Sequence, residues 1–293
     1  MDGIIVVDKP AGWTSHDAVN RMRRLAGTRK VGHLGTLDPA ATGVLPMVIG
    51  RATRLAQFFS RNDKVYEGVI HFGYATDSYD GDGVALSDPI VVELEPVALE
   101  TALDRFRGEF EQMPPPVSAK KIGGRPAYEL ARKHLPVELS AVRVSVSRLE
   151  VLEMQGGEIT VRVHCSAGTY IRSIAHDVGQ ALGYGAFLKS LRRLASGDFR
   201  IEQARTLDEL GALADAGRLE EALLPASGLL PEFPAATVDE ITAAHIRNGR
   251  DFQIPALPTH PAARYVKALN SRGELVAIGE ARLPLVYHPV LVL

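Results

Sequence analysis

The amino-acid sequence predicts an α+β fold dominated by antiparallel strand pairing. Three observations carry that expectation. Val142, Val144 and Val146 alternate with Arg143, Ser145 and Ser147, and Ile159, Val161 and Val163 alternate with Thr160, Arg162 and His164. Such period-two runs read as two half-buried strands forming an antiparallel pair. Amphipathic helical stretches punctuate the strand-like runs. The tail from about Ala235 to Leu293 packs several short strands around one short helix.

In chain order, residues 4–7 read as a short buried strand, broken by Pro10, Ala11 and Gly12. Thr14 to Asp17 resembles a capping box, and Val19, Met22 and Leu25 follow at helical spacing up to Gly27. A Gly/Thr/Pro-rich loop spans Gly32 to Gly43. Leu45 to Ile49 is a candidate strand, Leu55, Phe58 and Phe59 mark a short helix, and Val65 to Phe72 is a strand ahead of a turn-rich run from Thr76 to Gly83. Leu99, Leu103, Phe106 and Phe110 lie at i, i+4, i+7 and i+11 and predict an amphipathic helix. Met113 to Pro116 must be extended, because proline lacks a backbone donor and restricts the residue before it. Residues 113–135 read as a basic surface insertion with a short helix near Tyr128 to Lys133. A helix from about Tyr170 to Leu182 shows Ile171, Ile174, Val178 and Leu182 on one face, and Gly183 ends it.

A composition shift at Pro225 to Pro234 suggests a boundary. The expected domains are 1–232 and a small β-barrel-like module over 235–293, with a helix from Ile241 to Arg247 and strands Tyr265–Leu269, Leu275–Ile278 and Val286–Val292. Removal of the tail is expected to leave a folded enzyme. Arg247, Arg250, Arg264, Lys267 and Arg272 are candidates to reach backbone phosphates from it.

With 46% of 293 residues hydrophobic, the chain can build a large core and has room for more than one domain. No apolar stretch approaches the roughly 20 residues that span a bilayer. The start lacks a basic region ahead of its short apolar run, so no signal peptide is expected. The single cysteine, Cys165, forbids an intrachain disulfide and fits the cytoplasm. The net charge of −2 gives no global basic excess. Basic residues nevertheless cluster: Arg21, Arg23, Arg24, Arg29 and Lys30 in one stretch, and Lys120, Lys121, Arg125, Arg132 and Lys133 in another. Either cluster alone reads first as a solvated face, with an anion-binding surface as the alternative.

Phosphate-loop and dinucleotide glycine motifs are missing, and the nine histidines and one cysteine show no metal-ligand spacing. No cofactor and no metal are therefore expected, and ordinary side chains must carry any chemistry. The most unusual stretch is Val31 to Pro46, where Gly32, Gly35, Gly43 and Pro39 hold an irregular loop that presents His33 and Asp38. From the residues alone Asp38 is open between an Asx-turn or N-cap ahead of Pro39 and a functional carboxylate.

That loop resembles the catalytic-aspartate motif of the bacterial tRNA pseudouridine-55 synthases, the TruB family. Asp8 to Asp17 resembles the family's first motif, Lys64-Val65-Tyr66 its tyrosine strand, and Phe72 to Gly81 its acidic turn. Cys165 to Ser173 resembles its arginine motif and Leu188 to Gly197 its leucine–arginine element. The matches run in family order from residue 4 to about residue 199. The tail resembles the family's short PUA-type RNA-binding module more loosely.

The resemblance implies a pseudouridine synthase catalytic domain on a mainly antiparallel mixed sheet with flanking helices, plus the PUA-like module. It implies isomerisation of the T-loop uridine at position 55 of tRNA by base flipping and cleavage and re-formation of the glycosidic linkage. Asp38 would be the essential carboxylate, Tyr66 would stack on the flipped uracil, and Arg172 would pair with Asp38. Tyr170 and Leu191 would line the pocket. His33 would contact the T-loop, and Lys9 with Pro10 would support the loop from behind. Lys120, Lys121 and Arg125 would contact phosphates from the insertion. The expected partner is the tRNA T-stem-loop, with no membrane, and the protein is expected to act as a monomer.

Three other readings compete. A C5 methyltransferase using Cys165 lacks an adenosylmethionine-binding motif, and Cys165 falls on the buried face of its strand. A non-catalytic tRNA-folding protein has no need of the Asp38 loop. A guide-RNA-dependent relative is expected to carry a longer tail and basic extensions.

Overall fold

The computed structural model describes residues 1–60, 62–116, 121–122, 125–126, 140–255 and 263–293. Lys120, the side chain of Lys121 and the helix expected near Tyr128 to Lys133 lie outside the described residues.

The first part of the chain runs β1 (Gly3–Lys9), α1 (Ser15–Leu25), β2 (Val31–His33), β3 (Thr42–Ile49), α2 (Ala56–Phe59), β4 (Lys64–Phe72), α3 (Pro96–Asp104) and β5 (Gly108–Gln112). The two-residue strands β6 (Lys121–Ile122) and β7 (Arg125–Pro126) pair with each other. Then come β8 (Val142–Gln155), β9 (Glu158–Cys165), α4 (Ile171–Leu182), β10 (Ala186–Ser196), β11 (Phe199–Arg200), β12 (Arg205–Thr206), α5 (Leu207–Asp215) and β13 (Leu224–Pro225). The described strands build one mixed sheet along β12-β1-β3-β10-β4-β9-β8-β5, with β2, β11 and β13 paired to its flanks. Only β1·β12 and β3·β10 are parallel; the other pairs of this sheet are antiparallel.

Burial explains the two kinds of strand. On β4 every second residue from Lys64 to Phe72 is buried, as a one-sided strand requires. On β1 both faces are covered. Ile5 and Val7 join the main core under α1, α3, α4 and α5, whereas Ile4 and Val6 join a second core with Val44, Val48, Leu55 and Phe59. Thr14 caps α1 through a reciprocal box with Asp17, and Gly183 ends α4 at φ 77°.

The structure corrects one helix. Helix α3 stops at Asp104, and Phe110 stands on β5 opposite Val144. Gly108, at φ 79°, turns the chain between them, a conformation that glycine adopts without strain. The helical spacing of Phe110 was coincidental. Two strands also exceed their sequence signals. Register shifts on β8 at Val146/Arg148 and Val151/Glu153, and on β10 at Leu188/Ser190 and Arg193/Ala195, break the period-two pattern.

The tail forms an open five-stranded sheet. Its strands are β14 (Ala235–Thr237), β15 (Phe252–Gln253), β16 (Tyr265–Leu269), β17 (Leu275–Leu283) and β18 (Val286–Val292), in the order β14-β16-β17-β18-β15, with α6 (Glu240–Arg247) beside them. It has a core of its own around Val266, Ala268, Ile246 and Phe252. It also shares the second core, to which Leu275, Ile278 and Leu291 contribute. Phe58, Phe233 and Tyr265 close that seam with ring centroids 5.1–5.6 Å apart. Lys267 corrects its sequence reading: it is buried and donates to the carbonyls of Ser227 and Leu229 at 3.1 and 2.8 Å, so it cannot reach phosphates. Arg247, Arg250, Arg264 and Arg272 are exposed.

Candidate active site

The loop between β2 and β3 is fixed from several sides. Ser15 Oγ donates to Leu37 O at 3.0 Å and accepts from Leu37 N at 2.9 Å, so one buried hydroxyl satisfies both backbone groups. Lys9 is fully buried behind the loop, with its ammonium donating to the carbonyls of Pro10, Trp13 and Pro39 at 2.8, 2.6 and 3.1 Å. Burial pulls its pKa down to about 8, with Asp38 pulling the other way.

Arg193, on β10, is the second buried cation under the loop. Its Nε donates to Val44 O, its Nη1 to Thr36 O and its Nη2 to Gly35 O, at 2.7, 3.2 and 3.0 Å. Two glycines permit this approach. Gly35 adopts φ 97°, and at Gly43, with φ 98°, a Cβ would sit 2.2 Å from Arg193 O.

Asp38 occupies the apex. Ala41 N donates to Asp38 O at 3.1 Å, which closes a turn through Pro39. The turn is therefore real, but the side chain is engaged elsewhere. Arg172, in the first turn of α4, places Nε 3.0 Å from Asp38 Oδ2. Its Nη1 reaches Asp80 Oδ2 and Ser78 O, both at 3.0 Å. Arg172 is thus buried between two carboxylates rather than solvated on its helix. Asp38 keeps 42% of its side-chain surface open to the cavity. Burial raises its pKa above the ordinary 3.8; Arg172 opposes the rise, Asp80 adds to it and Lys9 opposes it.

Two cavities meet at this ion pair. One of about 360 Å³ is lined by Asp38, Tyr66, Tyr170, Leu191, Arg172, Arg193 and Lys64. The other, of about 270 Å³, is lined by Asp38, Arg172, Leu191, Asp80, Asp82 and Lys189. Tyr66 points from β4 with its hydroxyl at Arg193, and burial raises its pKa. Tyr170 is the residue before α4. Gln112 holds its backbone, accepting from Tyr170 N at 2.8 Å and donating to Tyr170 O at 3.0 Å.

Asp38, Tyr66, Arg172, Tyr170 and Leu191 therefore converge on one cavity. Lys9 does not line it; it lies behind the loop. His33 does not line it either. Its Nδ1 is buried with no partner among the described residues, and burial lowers its pKa, which keeps the ring neutral at pH 7. Cys165 is buried, and its thiol is pushed up to about 11, so it offers no thiolate for a methyl-transfer mechanism.

Sequence reading missed Asp80, Arg193, Ser15 and Gln112 as site residues. Arg193 carried one usable signal: it follows Leu191 by two positions on a strand, which puts both on the same face. Asp80 and Ser15 fall inside stretches that resemble family motifs, but their roles, like that of Gln112, rest on contacts to residues distant in the chain.

Comparisons with known proteins point to one family. A family model described as TruB family pseudouridylate synthase, N-terminal domain, matches residues 23–171, and one described as tRNA pseudouridylate synthase B C-terminal domain matches residues 172–231. A curated relative from Solibacter usitatus named tRNA pseudouridine synthase B is 59% identical over 293 residues, covering 100% of both chains. One of the same name from Dechloromonas aromatica is 42% identical, covering 96% of this chain and 91% of that one. Among solved structures, a Cbf5-Nop10-Gar1 complex is similar with TM-score 0.70 and 28% identity, over 97% of this chain and 79% of that chain. An H/ACA RNP bound to a substrate RNA containing 2′-deoxyuridine is similar with TM-score 0.72 and 26% identity, over 99% and 84%.

Proposed function

The chain belongs to the TruB family of pseudouridylate synthases, and from that premise we propose that it isomerises uridine 55 in the T-loop of tRNA to pseudouridine, with Asp38 as the essential carboxylate. The observation that carries the reading is the Asp38 carboxylate on a buried Arg172, at the wall of a cavity lined by Tyr66, Tyr170 and Leu191.

The target base must leave its stack to reach Asp38, because its reacting atoms are inaccessible inside a folded loop. In the cavity, Tyr66 and Leu191 offer an aromatic and an aliphatic surface to the uracil. The ionised Asp38 acts on the uridine while the C1′–N1 bond breaks. The freed uracil turns and rejoins C1′ through C5. C5 gives up its proton and N1 gains one, so the product is an isomer of the substrate. No oxidation state changes and no group is imported, so the stoichiometry calls for no cofactor. Arg172 holds Asp38 in place and opposes its protonation. Lys9, Ser15 and Arg193 act on the loop backbone and fix where Asp38 stands.

His33 is read as contacting the T-loop rather than moving protons, in line with a ring that burial of its Nδ1 side keeps neutral. Lys120, Lys121 and Arg125 remain candidates for phosphate contacts from the insertion, and Arg247, Arg250, Arg264 and Arg272 for contacts from the tail. A non-catalytic RNA-folding role would leave the desolvated Asp38–Arg172 pair without purpose. The 59% identity to a relative named tRNA pseudouridine synthase B favours a stand-alone tRNA enzyme over a guide-dependent one.

The test incubates purified protein with a T-stem-loop transcript and maps pseudouridine chemically. The expected result is conversion at the single uridine equivalent to position 55. No conversion, or conversion scattered over other uridines, overturns the reading.

A further inference from the structure

Two buried cations in the larger cavity form no ion pair with a carboxylate among the described residues. Lys64 is 8% exposed and Arg193 is 1% exposed. Among the described residues Arg193 spends its donors on the carbonyls of Gly35, Thr36 and Val44. The Lys64 ammonium donates to the carbonyl of Asn62. An ammonium carries three donors, so this contact leaves capacity for another acceptor. Lys64 has no part in the reaction as derived above, and Arg193 acts there only on the loop backbone.

Their placement is specific. Lys64 and Tyr66 stand two residues apart on β4, and both are buried on the face that lines the cavity. The Lys64 side chain runs beneath the catalytic loop. A Cβ built on Gly35 would lie 3.9 Å from Lys64 Cε and 3.6 Å from Arg193 Nη1. Ser60 and Gly168 complete this end of the cavity. Asp63, next in the chain, is exposed, and its pull on Lys64 is smaller than that of burial and of Arg193, which both lower the Lys64 pKa.

We propose that this end of the cavity is a phosphodiester subsite, in which Lys64, with Arg193 behind it, takes the backbone phosphate next to the target uridine and so sets its ribose against Asp38. The inference rests on the function proposed above. Two desolvated positive charges side by side repel each other, and an anion between cavity and solvent relieves that repulsion in a medium where charge attraction is strong. A flipped nucleotide brings a phosphate on each side of its ribose, so one anion necessarily arrives with the base. A contact made this close to the reacting sugar orients it, which a contact from the outer surface cannot do.

The test is a set of T-stem-loop hairpins, each with one uncharged methylphosphonate linkage near the target, bound to wild-type protein, to Lys64→Gln and to Lys64→Arg. One linkage flanking the target should cost wild type about tenfold in affinity. Lys64→Gln should bind the unmodified hairpin about tenfold more weakly and lose little more on that modified one, and Lys64→Arg should keep most of the affinity. Wild type indifferent to both flanking linkages, or Lys64→Gln suffering the full further loss, overturns the subsite. If Lys64→Gln fails to fold by thermal melting, the wild-type linkage scan and Lys64→Arg decide. Failure of the underlying activity would show separately, as no pseudouridine made by wild type on the unmodified hairpin.

Discussion

Arg172 Nε stands 3.0 Å from Asp38 Oδ2, and the same guanidinium places Nη1 3.0 Å from Asp80 Oδ2. One buried cation therefore orients two carboxylates that lie far apart in sequence, one on the β2–β3 loop and one in the turn after β4. The charge balance of the site depends on it. Among the described residues the two anions share one directly paired cation, with Lys9 as the next positive charge behind the loop.

Replacing Arg172 with alanine is expected to lower turnover by roughly a hundredfold or more while T-stem-loop binding changes only a few-fold. Removing one partner of a buried pair leaves its charges uncompensated. A pH profile separates this from a plain phosphate contact. Asp38 has its pKa raised above 3.8, so activity that needs the ionised form is lost as pH falls through that raised value. Arg172 is the largest influence opposing the rise, so its loss should move the acid limb to still higher pH. Equal losses in rate and binding with an unmoved limb would contradict this.

Lys9→Met is expected to destabilise the protein by about 3 kcal/mol and to reduce turnover, because three loop carbonyls lose their donor. The pH dependence has a definite sign. The folded pKa of about 8 lies below the ordinary 10.5, so between these values the unfolded chain binds more protons and this group's contribution to stability rises with pH. Denaturant unfolding from pH 7.5 to 10 should show wild type gaining on Lys9→Met. A constant gap would mean that Lys9 is not desolvated as described.

Activity should be unchanged by dialysis against EDTA, since isomerisation exchanges no electrons and imports no group. Loss of turnover that returns with an added metal or small molecule would refute that.

Much of the fold was legible because burial and periodicity agree on one-sided elements. The β8–β9 pair, α1 with its Thr14–Asp17 box and α4 with its Gly183 stop all follow from local patterns. Strand β10 did not, although it sits in the centre of the sheet, because its two register shifts erase the alternation. The site divides the same way. Motif resemblance gave Asp38, Tyr66 and Arg172 their roles, whereas Asp80 and Arg193, inside motif stretches too, gain theirs only when the chain brings the loop, β10 and α4 together. Lys267 is the converse: a lysine among tail arginines reads as a phosphate contact until the fold buries it against the carbonyls of Ser227 and Leu229.

Truncation before residue 235 should lower the melting temperature by roughly 10 °C, because it uncovers the apolar surface that Leu275, Ile278 and Leu291 cover. The truncated protein should still convert a minimal hairpin, since every residue that converges on the cavity precedes residue 200. An unchanged melting temperature would mean the shared core contributes nothing, and loss of hairpin activity in a folded truncation would place the tail in the catalytic unit.

Single-turnover conversion of a T-stem-loop by Asp38→Asn tests the role of the Asp38 carboxylate most directly. Asparagine keeps the shape and can still accept from Arg172, whose charge stays paired with Asp80, so the variant should fold and melt close to wild type at pH 7. The expected result is a folded protein that binds the hairpin within a few-fold of wild type and forms no detectable pseudouridine. Appreciable conversion by the folded variant would contradict the assignment of Asp38 as the essential carboxylate.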